Sequence, residues 1–179
     1  MTHALKVWDP LQRVLHWSLA AAVALCWWAG EHRLSLHIAC GYVALGLVGA
    51  RGLWGFVGTR YALFADFVRG PRTVARYTHE LVRSTERRYI GHNPLGGWMV
   101  VTLLLCIAFV CCTGILYTTD YFWGMGWLES AHRVSAWALV ALIALHLCGV
   151  VFTSWRHREN LVGAMVTGKK RSADVDDPV

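Results

Sequence analysis

The stretch that decides the reading is "SAHRVSAWALVALIALHL", residues 130–147, an apolar run that carries two histidines fourteen residues apart, His132 and His146. A histidine inside a segment of membrane-spanning character costs free energy, so it marks a functional site and calls for a named partner. On an α-helix fourteen residues rise about 21 Å and fall about 40° short of four full turns. The two rings therefore share one helix face at two depths.

Working outward, the chain of 179 residues is 56% hydrophobic and only 16% charged, with ten tryptophans. That balance is too oily for a soluble domain. Four apolar runs, at about 10–30, 34–57, 95–117 and 128–155, each approach the roughly 20 residues needed to cross a bilayer core. Short links join the first two and the last two, so each pair forms an antiparallel hairpin. The expected fold is an all-α integral membrane protein, an up-down four-helix transmembrane bundle over residues 1–171, with a loop at 58–94 and a disordered tail at 172–179. The polar segment after Gly168, "KKRSADVDDPV", is read as disordered from its composition. The first run ends in "CWWAGEH" without a small-residue cleavage site, so it reads as a retained span with interfacial tryptophans.

Lysine and arginine cluster on one side of the spans. Lys6 and Arg13, seven arginines between Arg60 and Arg88, and five basic residues between Arg156 and Arg171 share that side. Only Arg33 and Arg133 flank the other, which places both termini and the middle loop in the cytoplasm. The net charge of +6 is this topology signal facing anionic lipid, and it requires no nucleic-acid partner. Within the loop, Pro71 after Gly70 starts a short helix whose Val74, Tyr77, Leu81 and Val82 recur on one face, as in a helix lying on the inner leaflet. The six cysteines fall inside spans without C-x-x-C spacing, which makes them apolar fillers rather than disulfide, zinc or haem-attachment sites.

Of nine histidines, His3, His32, His79 and His157 fall in termini or loops, and His92 precedes Asn93 and Pro94. The other four lie in spans. The first helix rises from the cytoplasm while the second and fourth descend, so topology sorts them by depth: His16 level with His146 near the inner side, His37 level with His132 near the outer side. One membrane histidine is explained by an interhelical hydrogen bond. Four in matched pairs are what two non-covalent haems need for axial ligation on both faces of each iron. Zinc and iron-carboxylate sites want three or four convergent ligands, and the spans offer too few acids. Gly41, Gly114, Ala20 and Ala136 provide small surfaces near the ligands. Arg51 follows His37 by fourteen residues and so faces the same way at the inner level, where either a haem propionate is its anion or the side chain snorkels to the nearby cytoplasmic interface; Arg133 beside His132, and Arg13 on the inner side, are further candidate propionate partners.

With these residues in hand, the chain resembles the prokaryotic cytochrome b561 family, which includes the b-type cytochrome subunits of nickel-iron hydrogenases. The matching pieces are "RVLHW" in the first helix, "LHIACGYVALGLVGARGLWGFVGTR" in the second, "GHNPLGGWM" opening the third, and "AHRVSAW" with "LIALHL" in the fourth. The resemblance implies a four-helix bundle in the bacterial inner membrane carrying two haem b groups, with His16, His37, His132 and His146 as ligands. It also implies electron exchange between quinone and a redox partner, either a c-type cytochrome or a redox enzyme subunit. His92 and Asn93 are polar candidates near a quinone, although "NPLGG" also reads as a turn that starts a helix. The outer segment "TTDYFWGMGWLES" either docks a periplasmic partner or anchors at the interface. Two other classes are a haem-containing membrane anchor of an enzyme such as a hydrogenase, and a proton or ion transporter using the histidines as a relay. A homo-oligomer is compatible with all of these.

Overall fold

A computed structural model of the chain describes residues 4–172. His3 and the predicted tail beyond residue 172 lie outside the described residues. The structure is mostly helical: α1 Pro10–Ala29, α2 Leu34–Val57, α3 Phe64–Phe67, α4 Pro71–Val82, α5 Pro94–Tyr117, α6 Gly126–Arg156 and α7 Leu161–Thr167, with short strands β1 Ala4–Lys6 and β2 Lys169–Arg171.

Capping chemistry explains where the long helices begin. Asp9 accepts the Gln12 amide through Oδ1 at 2.9 Å, and Pro10 supplies a first helical residue whose missing N–H would have no partner there. Asn93 accepts the Gly96 amide at 2.7 Å ahead of Pro94, so "NPLGG" does start a helix. A 3-10 turn, Gly30–Arg33, joins α1 to α2.

Three helical segments are long and apolar enough to cross a membrane: Pro10–Val57, Pro94–Tyr117 and Gly126–Arg156, with mean hydropathies of 1.4, 2.7 and 2.3. The first has 48 residues and folds back on itself. Cys26 and His37 exchange contacts at 2.9 Å, and Ala22 and Ala44 share one core cluster. In a straight helix those pairs would lie about 16 Å and about 33 Å apart, so α1 and α2 are antiparallel. Helices α5 and α6 are antiparallel as well, since Cys106 meets Ser135 and Val110 meets His132. Large apolar side chains such as Leu53, Leu105, Phe109 and Val151 stay exposed along these helices, as a lipid-solvated surface requires.

The described residues divide into two compact units. The first, residues 14–52 and 102–144, contains most of both hairpins. Its core joins Ala22 of α1, Ala44 of α2, Ile107 and Cys111 of α5, and Leu139 of α6. Two of these five are alanines, which let helix backbones approach closely where no hydrophobic effect drives association.

The second unit, residues 4–13, 53–101 and 145–172, gathers the helix ends with the middle loop. Here Val7, Trp8, Ile90 and Ala164 form a separate core. Asp9 also accepts from Trp54 Nε1 at 3.2 Å and Thr59 Oγ1 at 2.6 Å, tying the start of α1 to the end of α2. Tyr77 of α4 packs edge-on against Tyr89 with ring centroids 5.6 Å apart, so part of the apolar face of α4 is covered by the chain itself.

One expectation needs correction here. The segment after Gly168 is not wholly irregular: Lys169–Arg171 pairs antiparallel with Ala4–Lys6, in the register Leu5 opposite Lys170. The reason is a buried ion network that composition does not reveal. Lys170 donates to the Ile90 carbonyl at 2.9 Å and pairs with Glu159 at 3.2 Å, while Arg88 pairs with the same carboxylate at 2.7 Å. Burial alone would raise the Glu159 carboxyl, but hydrogen bonds and charge from Arg88 and Lys170 outweigh it and hold the group below the usual carboxylate range. The C-terminal lysine is thereby a structural counter-ion rather than a solvated charge.

Candidate functional site

The first unit brings His37 and His132 together. His37 sits in the first turn of α2 and His132 in the second turn of α6, with ring centroids 6.0 Å apart and planes at 81°. The Nδ1 atom of His37 lies 2.9 Å from the Cys26 carbonyl oxygen, and that of His132 lies 3.0 Å from the Val110 carbonyl oxygen. A carbonyl only accepts, so each Nδ1 carries the proton and donates it. That tautomer leaves both Nε2 lone pairs available for a metal, with the backbone fixing each ring's orientation.

Local sequence explains the arrangement. Cys26 belongs to the last turn of α1, where carbonyls lack helical partners, and the four-residue turn Gly30–Arg33 folds α2 back so that His37 meets it. On α5, Gly114 faces the His132 ring: a Cβ there would lie 2.9 Å from Cε1 and 3.2 Å from Nδ1. Only glycine permits this approach. Thr113 is buried and reaches His132 Nδ1 at 3.3 Å, while its hydroxyl donates to carbonyls of the preceding turn.

The pair fits an iron of a haem. Two metal–imidazole bonds of about 2 Å each, plus about 1 Å from each donor nitrogen to its ring centre, sum to about 6 Å, matching the observed separation. One turn beyond His37, a Cβ on Gly41 would meet nothing within 4 Å, which gives a flat macrocycle room beside α2. Among the described residues no three or more His, Cys, Asp or Glu converge. A haem iron would ask for two side-chain ligands rather than three.

The remaining sequence-predicted residues are placed as follows. His16 lies on α1 in the first unit, edge-on to Trp17 at 5.2 Å. Arg51, on α2 in the same unit, is buried with 5% exposure. His146 lies on α6 and belongs to the second unit. Arg13, also in the second unit, donates to the Val166 carbonyl. Arg133 is two-thirds exposed and pairs with Glu129 one turn earlier at 3.6 Å. His92, in the second unit, is held between Trp8 and Phe67 with ring centroids 4.7 Å and 4.6 Å away, and Asn93 is occupied as a cap.

Sequence reasoning picked out Gly114 as a small residue and missed its specific role. It also missed Thr113 and the carbonyls of Cys26 and Val110. A glycine in the interior of an apolar helix was the available signal, because it gives up helix propensity for no other visible reason.

Comparison with known proteins adds the following. The family model described as "Prokaryotic cytochrome b561" matches residues 7–168. A probable Ni/Fe-hydrogenase B-type cytochrome subunit of Rhodobacter capsulatus is 28% identical over 165 residues, covering 77% of this chain and 62% of that protein. The proteins of the same name from Bradyrhizobium diazoefficiens and Azotobacter vinelandii are 26% and 29% identical, again over 77% of this chain, and 66% and 68% of their own lengths. The chain thus spans about two thirds of the length of these relatives. No solved structure matches it.

Proposed function

Because the chain belongs to the prokaryotic cytochrome b561 family, we propose that it is a di-haem b-type cytochrome: an up-down four-helix bundle in the bacterial inner membrane that carries electrons between the quinone pool and a periplasmic or membrane-bound redox partner. The observation that carries this reading is the His37–His132 pair, with both Nδ1 atoms committed to backbone carbonyls and a ring separation suited to one iron between them. In this proposal His16 and His146 are the remaining haem ligands, and Arg51, Arg13 and Arg133 are propionate partners. Both termini and the loop 58–94 face the cytoplasm, following the lysine and arginine bias.

When bound, each haem supplies one-electron iron chemistry. The chain supplies the rest. His37 and His132 present neutral donor nitrogens that would hold the iron, and two such ligands would keep oxygen from binding it. The Cys26 and Val110 carbonyls hold the rings at fixed rotation and raise their basicity. Arg51 is itself buried at 5% exposure, so its charge counts for more than it would in solution.

The test is a reduced-minus-oxidised spectrum of the purified full chain together with haem quantification. Two low-spin b haems per chain are expected, and reduction by a short-chain quinol should be fast. Absence of porphyrin overturns the reading and leaves the histidine-relay transporter. Two haems that no quinol reduces point instead to a haem-containing anchor of a redox enzyme, a second reading favoured by the hydrogenase-subunit names of the relatives.

A further inference from the structure

At the end of α6, Val150, Val151, Ser154 and Trp155 follow the i, i+1, i+4, i+5 spacing of one helix face. With Arg158, Asn160 and Val162 beyond the helix they line an open groove of about 500 Å³. Its walls are apolar and continue the lipid-facing surface of the span. Trp155 is 76% exposed, as a tryptophan at the boundary between acyl chains and headgroups would be.

The charge pattern says what the groove accepts. Arg158 occupies the left-handed region, φ 50°, at the helix terminus, where glycine is the usual residue. Its guanidinium makes no hydrogen bond or ion pair among the described residues. Glu159 is the acid at the groove, but Arg88 at 2.7 Å and Lys170 at 3.2 Å already engage its carboxylate, so it opposes an incoming anion little. Asn160 uses its Oδ1 to accept from Gly163, which leaves its amide donors for another group. A free cation and amide donors thus sit at the headgroup end of an apolar trough.

We propose that this groove seats one anionic phospholipid from the leaflet at this end of α6, its phosphate on Arg158 and an acyl chain along Val150, Val151 and Trp155. A basic residue beside a span favours anionic over neutral lipid, and one such charge near the surface corresponds to about a fivefold preference. The proposal requires only that α6 spans the membrane. It is independent of haem content and of electron flow.

The experiment uses the full chain in detergent, titrated with brominated phosphatidylglycerol or brominated phosphatidylcholine while tryptophan fluorescence is followed. The component lost in Trp155→Phe reports the groove. That component should be quenched at about fivefold lower phosphatidylglycerol than phosphatidylcholine. Arg158→Gln should remove the preference, Arg158→Lys should restore most of it, and Arg72→Gln on α4 should leave it intact. Equal quenching by the two lipids, or a preference that survives Arg158→Gln, overturns the proposal. Displacement of the brominated lipid by a short-chain quinone or by glycerol 3-phosphate alone also overturns it, because either would assign the groove to a different ligand.

Discussion

Substituting Gly114 by alanine tests the outer ligand pair with one methyl group. The new Cβ would stand 2.9 Å from His132 Cε1 and 3.2 Å from Nδ1, whereas carbon atoms rest at about 3.5–4.0 Å. The ring must therefore retreat by roughly 0.5–1 Å. The Nδ1 contact to the Val110 carbonyl, now 3.0 Å, would then pass the limit of a useful hydrogen bond, and the ligand would lose both its place and its orientation. Overpacking of this kind costs about 1–3 kcal/mol, and loss of an orienting partner weakens metal binding about 10- to 100-fold. Alanine is also a better helix former than glycine by about 1 kcal/mol, which offsets part of the overpacking cost, and circular dichroism separates ligand loss from unfolding. Haem content should fall from two per chain toward one, read by pyridine haemochromogen assay against protein concentration, with circular dichroism unchanged. Two haems with an unaltered spectrum in Gly114→Ala would refute the placement of His132 as a ligand.

Further outcomes follow from the same geometry. His146→Ala should remove the inner haem and spare much of the outer one; equal loss of both, in a variant that keeps its helical content, would break the proposed pairing. Glu159→Gln leaves Arg88 and Lys170 buried without their shared counter-ion, a loss of about 3–5 kcal/mol by the usual cost of breaking a buried pair. The β1–β2 pairing should then open, read as faster proteolysis after residue 168 with haem content preserved. The depressed carboxyl of Glu159 sets the sign of the pH dependence. Its stabilising contribution is complete above the unfolded carboxylate pKa of about 4.3 and is lost as pH falls through the lower folded value. The same proteolysis should therefore accelerate below about pH 4 in the parent chain, and Glu159→Gln should lack that step.

The helices were legible because lipid demands a simple pattern: apolar length, a capping residue and proline at the start, and a polar turn between. Asp9–Pro10 and Asn93–Pro94 announce two helix starts in this way, and Gly70–Pro71 a third. His37 and His132 were legible as candidates because a histidine in such a run has few other reasons to be there. What sequence could not supply was the partner of each ring's second nitrogen. Main-chain carbonyls carry no residue signature, so the roles of Cys26 and Val110 are invisible in composition. The strand Lys169–Arg171 escaped notice for a related reason: "KKR" reads as solvated charge unless the counter-ions at Glu159 and the carbonyls of Tyr89 and Ile90 are already known to converge on it.

The choice of backbone carbonyls over carboxylates as orienting partners has its own logic in a membrane. A carboxylate would orient the imidazole more strongly, but it would place an uncompensated anion in the hydrocarbon region at a cost of several kcal/mol. The Cys26 carbonyl needs no such compensation. It lies in the last turn of α1, where terminal carbonyls lack helical partners and need other donors. His37 Nδ1–H provides one, so a single hydrogen bond both caps α1 and aims the proposed ligand. The turn Gly30–Arg33 is therefore constrained by the site as well as by chain reversal, because each residue added or removed would rotate His37 by about 100° about the axis of α2. Val110 plays the same part from the interior of α5, with a helix carbonyl that also accepts from the Thr113 hydroxyl. There the close approach depends on Gly114. The two proposed ligands, His37 and His132, are held by neutral groups the fold has in any case, at the sequence cost of one glycine in the middle of an apolar helix.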